Sequence, residues 1–199
     1  MVRIKPSDAK YRLRNFGNGF VLTKLIDVNA KDVFRFNCLR CGTCCYNSPD
    51  INPSDAARMA NYLGISRKDF FREYVTMKED EQCGWSPVLD KVGDNCVFYS
   101  KEKGKATCKV HDAKPWQCRT RPVTVTDGYS NDPETIKAVI NPCRGFGRGP
   151  EQTVQQWLTS ENMMESLEEE IKYVKKVMTM KKKMNRNQLR EAIEKMFTE

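Results

Sequence analysis

The stretch Asn37–Asn47, NCLRCGTCCYN, places four cysteines, Cys38, Cys41, Cys44 and Cys45, within eight residues. Thiols crowded this closely either pair as disulfides or share a metal. Cys38, Cys41 and Cys44 form Cys-x-x-Cys-x-x-Cys, whose two-residue spacers let three sulfurs converge on one metal or cluster, as do the first three ligands of bacterial ferredoxins. Cys45 is a poor fourth ligand there, because neighbouring side chains diverge and a ring closed through both would be strained. It is expected to serve a second site.

The remaining ligands are sought downstream. Cys96 in DNCVFYS, Cys108 in ATCKVH, Cys118 in KPWQCRTRP and Cys143 in NPCRGFGRG bring the total to eight, enough for two tetrathiolate sets. Cys83, in EQCGWSP, is left over and is expected to be a half-buried thiol packed near Trp85.

Composition supports metal over disulfide. The 199 residues are 39% hydrophobic and 30% charged, as in an ordinary globular chain, and no apolar run approaches the ~20 residues of a membrane span. The first residues, MVRIKPSDAKYRLRNFGNGF, carry charges where a secretory signal has its apolar core, so a reducing cytoplasm is the expected compartment. Nine cysteines is an odd number, and persistent disulfides are uncommon in that compartment.

The succession CLRCGTCC, CVFYS, CKVHDAKPWQCR and PCRGFGRG resembles the YkgJ family, a cysteine-cluster family of zinc- or iron-chelating domains with the signature Cys-x-x-Cys-x-x-Cys-Cys. The resemblance runs from Cys38 to Gly149. It takes in INPSDAARMANYLGISRKDFFREYV, which is similar to the family's helical segment after the cysteine knot. It implies a metal-binding or iron–sulfur protein of undefined activity. One relative, flagellin lysine methylase, contains the domain within a larger enzyme. His111 stands where the family pattern has a tyrosine, so no role of that tyrosine is carried over.

Around the cysteines the pattern is α+β: a small metal-organised domain over 1–150 with short strands and helices, followed by a helical extension over 151–199. GFVLTKLIDV and VFRF alternate as strands leading into the cysteine loop. Asn52 or Ser54, with Pro53, opens a helix carrying Ala56, Met59, Ala60 and Leu63 and closed by Gly64; Ser66 and Asp69 start a second, with Phe70, Phe71, Tyr74 and Val75 on its inner face. YSKEKGKA predicts a turn that sets Cys96 and Cys108 on adjoining strands of a hairpin. DAKPWQC reads as a short helical turn, and RPVTVTDGYSNDPETIKAVIN as two strands around a polar turn. Gly145, Gly147 and Gly149 are expected to let the backbone pass close to a bulky cluster; GFGRG lacks the strand, helix and full glycine pattern of a dinucleotide site. Beyond Pro150, Trp157, Met164, Leu167, Ile171, Val174 and Met178 form one apolar stripe, and Asn185 or Asn187 caps a last helix carrying Leu189, Ile193 and Met196.

The formal charge of +8 lies entirely within residues 1–150, since the rest holds nine acidic and nine basic residues. Two four-thiolate centres, each about two charges negative, would lower it to roughly +4, which weakens a nucleic-acid reading. Arg119, Arg121, Arg144 and Arg148 could stabilise anionic clusters or meet an acidic protein partner, and the C-terminal helix is a second partner surface. The close triplet favours iron–sulfur, of 4Fe-4S type, over the alternative of zinc, whose four-cysteine sites come more often as two separated knuckles. His111 has no nucleophile matched to it by a recognisable motif. Three functional classes follow: electron transfer or cluster handling, cluster-assisted modification of a protein as in the methylase, and a zinc-organised module without catalysis.

Overall fold

The computed structural model describes residues 2–15, 20–46, 48–126, 137–160 and 163–199. In chain order they form β1 (Lys10–Asn15), β2 (Phe20–Asn29), β3 (Val33–Phe36), α1 (Pro53–Leu63), α2 (Arg67–Tyr74), β4 (Val75–Asp80), β5 (Gly84–Leu89), β6 (Lys91–Val92) and β7 (Asn95–Cys96). There follow β8 (Tyr99–Glu102), β9 (Lys105–Cys108), α3 (Trp116–Arg119), β10 (Val123–Val125), β11 (Lys137–Ile140), β12 (Phe146–Thr153), α4 (Val154–Thr159), α5 (Met163–Lys181) and α6 (Arg186–Thr198). This is the expected α+β class. The chain divides into two compact units that interleave: residues 1–41 with 119–168, and residues 42–118 with 169–199. The segment after Pro150 contributes to both.

The first unit is built on an antiparallel sheet of order β1-β2-β11-β10 and on the pair β12–β3. The polar turn expected between β10 and β11 covers 127–136 and lies outside the described residues; the strands on either side pair in register, Val123 with Ile140. Phe34 is fully buried, stacked on Phe146 at 6.4 Å and met edge-on by Trp157 at 6.2 Å. Trp157 belongs to α4, a separate helix ended by Ser160, and its indole N–H donates to Thr120 O at 2.8 Å. It therefore does not continue the stripe of α5, whose buried apolar residues are Met163, Leu167, Ile171 and Val177, leaving Val174 and Met178 only half-buried. Spacings of seven, three and four fit two adjacent stripes of one helix equally well, and tertiary packing selects between them.

The second unit has a core of Ile51, Met59, Phe70, Leu89, Phe98, Val110, Leu189, Ile193 and Phe197. Its helices begin and end at the expected signals. Asn52 caps α1 by accepting from Asp55 N at 2.8 Å, Gly64 closes it at φ +69°, Ser66 caps α2, and Asn185 caps α6. On α6 the third buried residue is Phe197, with Met196 half-buried beside it. Cys83 packs at the margin of this core together with Trp85, and burial pushes its thiol up to about 11.

Candidate metal centre

The two units each gather thiols. None of the nine cysteines forms a disulfide; Cys38, Cys41 and Cys44 are exposed and the others half-buried.

In the first unit, β3 delivers Cys38 and Cys41 to the start of β12. Asn37 N donates to Gly145 O at 3.1 Å, and the turn from Cys143 to Phe146 closes with a 3.0 Å bond from Phe146 N to Cys143 O. The glycines beyond Cys143 make this approach possible. A Cβ on Gly145 would stand 2.1 Å from Asn37 O, and one on Gly149, at φ +82°, 2.7 Å from Phe36 O. The close neighbour of Gly145 and Gly149 is thus the strand entering the cysteine loop. Cys143 Sγ accepts from the backbone N–H groups of Gly145 and Phe146. Burial nevertheless raises its pKa, and nearby Cys41 and Cys38 raise it further.

In the second unit, Cys44 and Cys45 occupy a 3₁₀ turn, Thr43–Tyr46, tied by Cys45 N to Gly42 O at 2.8 Å. Gly42, at φ +78°, lies flat on the β8–β9 hairpin: a Cβ there would be 3.0 Å from the Tyr99 ring and 3.1 Å from Ala106. Cys108, opposite Tyr99, ends that hairpin. Cys96 does not share it. It ends β7, paired with Lys91 of β6, because the chain makes an additional tight turn at Gly93 before reaching β8. Cys118 sits in α3, its N–H bonded to Pro115 O at 2.9 Å.

These thiols sense one another. Cys45 is raised strongly, first by its hydrogen bond with Cys44, then by burial and by Cys44, Cys118 and Cys108. Burial raises Cys96 and Cys108, Cys44 acts on both, and in each case the backbone N–H two residues on, of Phe98 and of Val110, opposes the rise. Cys143 with Gly145 repeats this pattern. Amide-to-sulfur bonds stabilise a thiolate, and the mutual repulsion of metal-free thiolates is what a bound cation reverses.

Among the described residues no group of three or more Cys, His, Asp or Glu side chains is placed so that it could hold a metal ion. The donor set fits a thiophilic metal through its chemistry: half-buried or exposed sulfurs in each unit, several of which raise one another's pKa. His111 and Ala113 bound a 3₁₀ turn just before α3, with His111 exposed. No described helix is long and apolar enough to cross a membrane.

Comparison with known proteins agrees with the cysteine pattern. The "Uncharacterized protein MJ0661" of Methanocaldococcus jannaschii is 33% identical over 90 residues, which are 45% of this chain and 46% of that protein. The chain thus covers less than half of that curated relative. No solved structure matches it. Residues 37–144, just over half of the chain and containing every one of the eight cysteines above, match the CxxCxxCC family, described as "Putative zinc- or iron-chelating domain". The chain belongs to this family of metal-chelating cysteine-cluster domains.

Proposed function

We propose that the protein is an iron–sulfur protein whose eight family cysteines hold its metal, and that it acts in electron transfer or cluster handling. The observation that carries the reading is the set of eight cysteines within the matched family segment, opened by the triplet Cys38, Cys41 and Cys44; the backbone N–H two positions on also opposes the rise in pKa at Cys96, Cys108 and Cys143. Hydrogen bonds to sulfur set the potential of iron–sulfur clusters. Cys38, Cys41 and Cys143 would ligate from the first unit, and Cys44, Cys45, Cys96, Cys108 and Cys118 from the second. A bound cluster would supply one-electron redox chemistry; the chain's own contribution is ligation, donors to sulfur and partial exclusion of water. Nine cysteines without a disulfide suit a reducing cytoplasm, the compartment we assign. Arg119, Arg121, Arg144 and Arg148 all belong to the first unit, and would offer an acidic redox partner a basic surface.

Purification without oxygen, followed by iron, acid-labile sulfide and zinc analysis and by spectra before and after dithionite, tests the proposal. Brown protein with iron and sulfide that bleaches on reduction is expected. Colourless protein with stoichiometric zinc would replace the redox role by that of a zinc-organised binding module. Protein without metal in iron- and zinc-replete cells would overturn metal binding itself.

A further inference from the structure

The turn carrying Cys118 is held at three successive points by side chains from one stretch, Asp50–Arg58. Arg58 Nη2 donates to Lys114 O at 3.2 Å, Trp116 N donates to Asp55 Oδ1 at 3.1 Å, and Gln117 Nε2 donates to Asp50 Oδ2 at 3.0 Å. Asp55 and Arg58 are themselves ion-paired one turn apart on α1. The holding groups are in turn fixed. Ser86 Oγ donates to Asp50 Oδ1 at 2.7 Å, and Asn52, the cap of α1, donates from Nδ2 to Glu170 Oε2 at 2.9 Å.

Core packing alone does not account for this. Asp55 is only 1% exposed, and its Oδ2 has no hydrogen-bond partner, so its carboxylate is buried at a net cost that one ion pair does not erase. A neutral side chain could serve at that third position of α1, which faces the Asn52 cap. A charged one does two further things: one oxygen accepts from the amide that opens α3, and the charge holds the guanidinium whose other contact is the carbonyl preceding Pro115. The pair therefore grips the Lys114–Trp116 segment at both ends, two residues before Cys118.

We propose that Asp55 and Arg58 are positioning residues for the metal ligand Cys118, fixing the turn that sets its sulfur near Cys45. The proposal rests on the metal-binding reading above. Groups that orient a ligand without touching the metal typically change affinity by about 10–100-fold when removed.

The test is anaerobic titration of the reduced, metal-free full chain with Co(II), read by thiolate-to-cobalt absorption against a competing chelator. Wild type is expected to bind with a thiolate spectrum. Asp55→Ala and Arg58→Ala should each weaken one equivalent about 10–100-fold and alter its band. In a Cys118→Ser background Asp55→Ala should add nothing, whereas in Cys143→Ser its effect should persist. Should Asp55→Ala fail to fold by circular dichroism, Asp55→Asn, which keeps an acceptor for Trp116 N and loses the charge on Arg58, is expected to weaken the same equivalent. Wild-type affinity in the folded variants, or equal weakening with and without Cys118, would overturn the positioning role while leaving metal binding standing. A wild type that takes up no cobalt through sulfur would sink both.

Discussion

Asn37 and Gly145 meet backbone to backbone: the amide of the first donates to the carbonyl of the second at 3.1 Å, and the absent Cβ of the second would lie 2.1 Å from the carbonyl oxygen of the first. Cys38 follows one of these residues and Cys143 precedes the other by two. The contact brings together two cysteine-bearing segments that are more than a hundred residues apart in sequence. Gly145→Ala should force them apart, since the atom it would strike is backbone and cannot swing away. The expected outcome is loss of metal from the Cys143 group and destabilisation of more than about 2 kcal/mol, checked by metal analysis and urea unfolding. Full metal content in Gly145→Ala would show that the contact is not needed.

Serine at Cys143 and serine at Cys108 should each remove metal from a different group, so the double variant should lose what both singles lose. Cys83→Ala should lose none, because Cys83 packs beside Trp85 at the margin of the core. Metal stoichiometry on folded protein decides this. A loss of one equivalent in Cys83→Ala would mean that the ligand set has been miscounted.

Glu170 gives stability a pH dependence of known sign. Burial holds its carboxyl up to about 7, the neighbouring carboxylates of Asp55 and Asp50 add to the rise, and the Asn52 amide opposes it. Arg58 faces Asp55 from the same helix, while Cys83 and Tyr173 also feel the Glu170 charge and are raised chiefly by burial. The folded value exceeds the unfolded one, so the unfolded chain ionises first. Stability should fall as pH rises from about 4.5 to 7 and then level off. Glu170→Gln keeps an acceptor for Asn52 and removes the titration. Its gain over wild type should be near zero at pH 4 and reach on the order of 3 kcal/mol at pH 8. Taking the difference between the two proteins at each pH cancels the pH dependence of metal binding. A gain that does not change with pH would refute the assignment.

Phe197→Ala should cost about 3–5 kcal/mol, because the ring is fully buried, 5.5 Å from Phe71 and 5.9 Å from Tyr173. Urea unfolding checks it. A cost below 1 kcal/mol would show that α6 is not docked on this core.

Much of this was legible in the residues. Asn52, Gly64, Ser66 and Asn185 mark helix ends because capping is local chemistry, complete within four residues. The family was legible in the eight cysteines because spacing and residue type carry its pattern. What could not be read depends on distant partners. Nothing near Gly145 says that its neighbour is Asn37. Cys96 lies off the expected hairpin because two-residue strands leave no periodicity to detect. Asp55 reads as an ordinary first-turn acid, and only the fold shows its carboxylate buried against the amide of Trp116. The phase of the α5 stripe was ambiguous for the same reason: either set of apolar residues satisfies a helix, and the neighbours select one.

The interleaving of the two units bears on how the protein is made. Residues 42–118 carry five family cysteines, yet their core is closed by Leu189, Ile193 and Phe197 of α6, which packs on α1, α2 and β5. A ribosome adding about 5–20 residues per second needs roughly 4–16 s to travel from Cys118 to Phe197. Thiols that emerge from the ribosome in that interval do so before the fold that orders them is complete. Metal delivered co-translationally would meet an unorganised set of sulfurs, so productive loading belongs after chain release, and a nascent chain stalled before α6 would be the form most open to oxidation and mispairing.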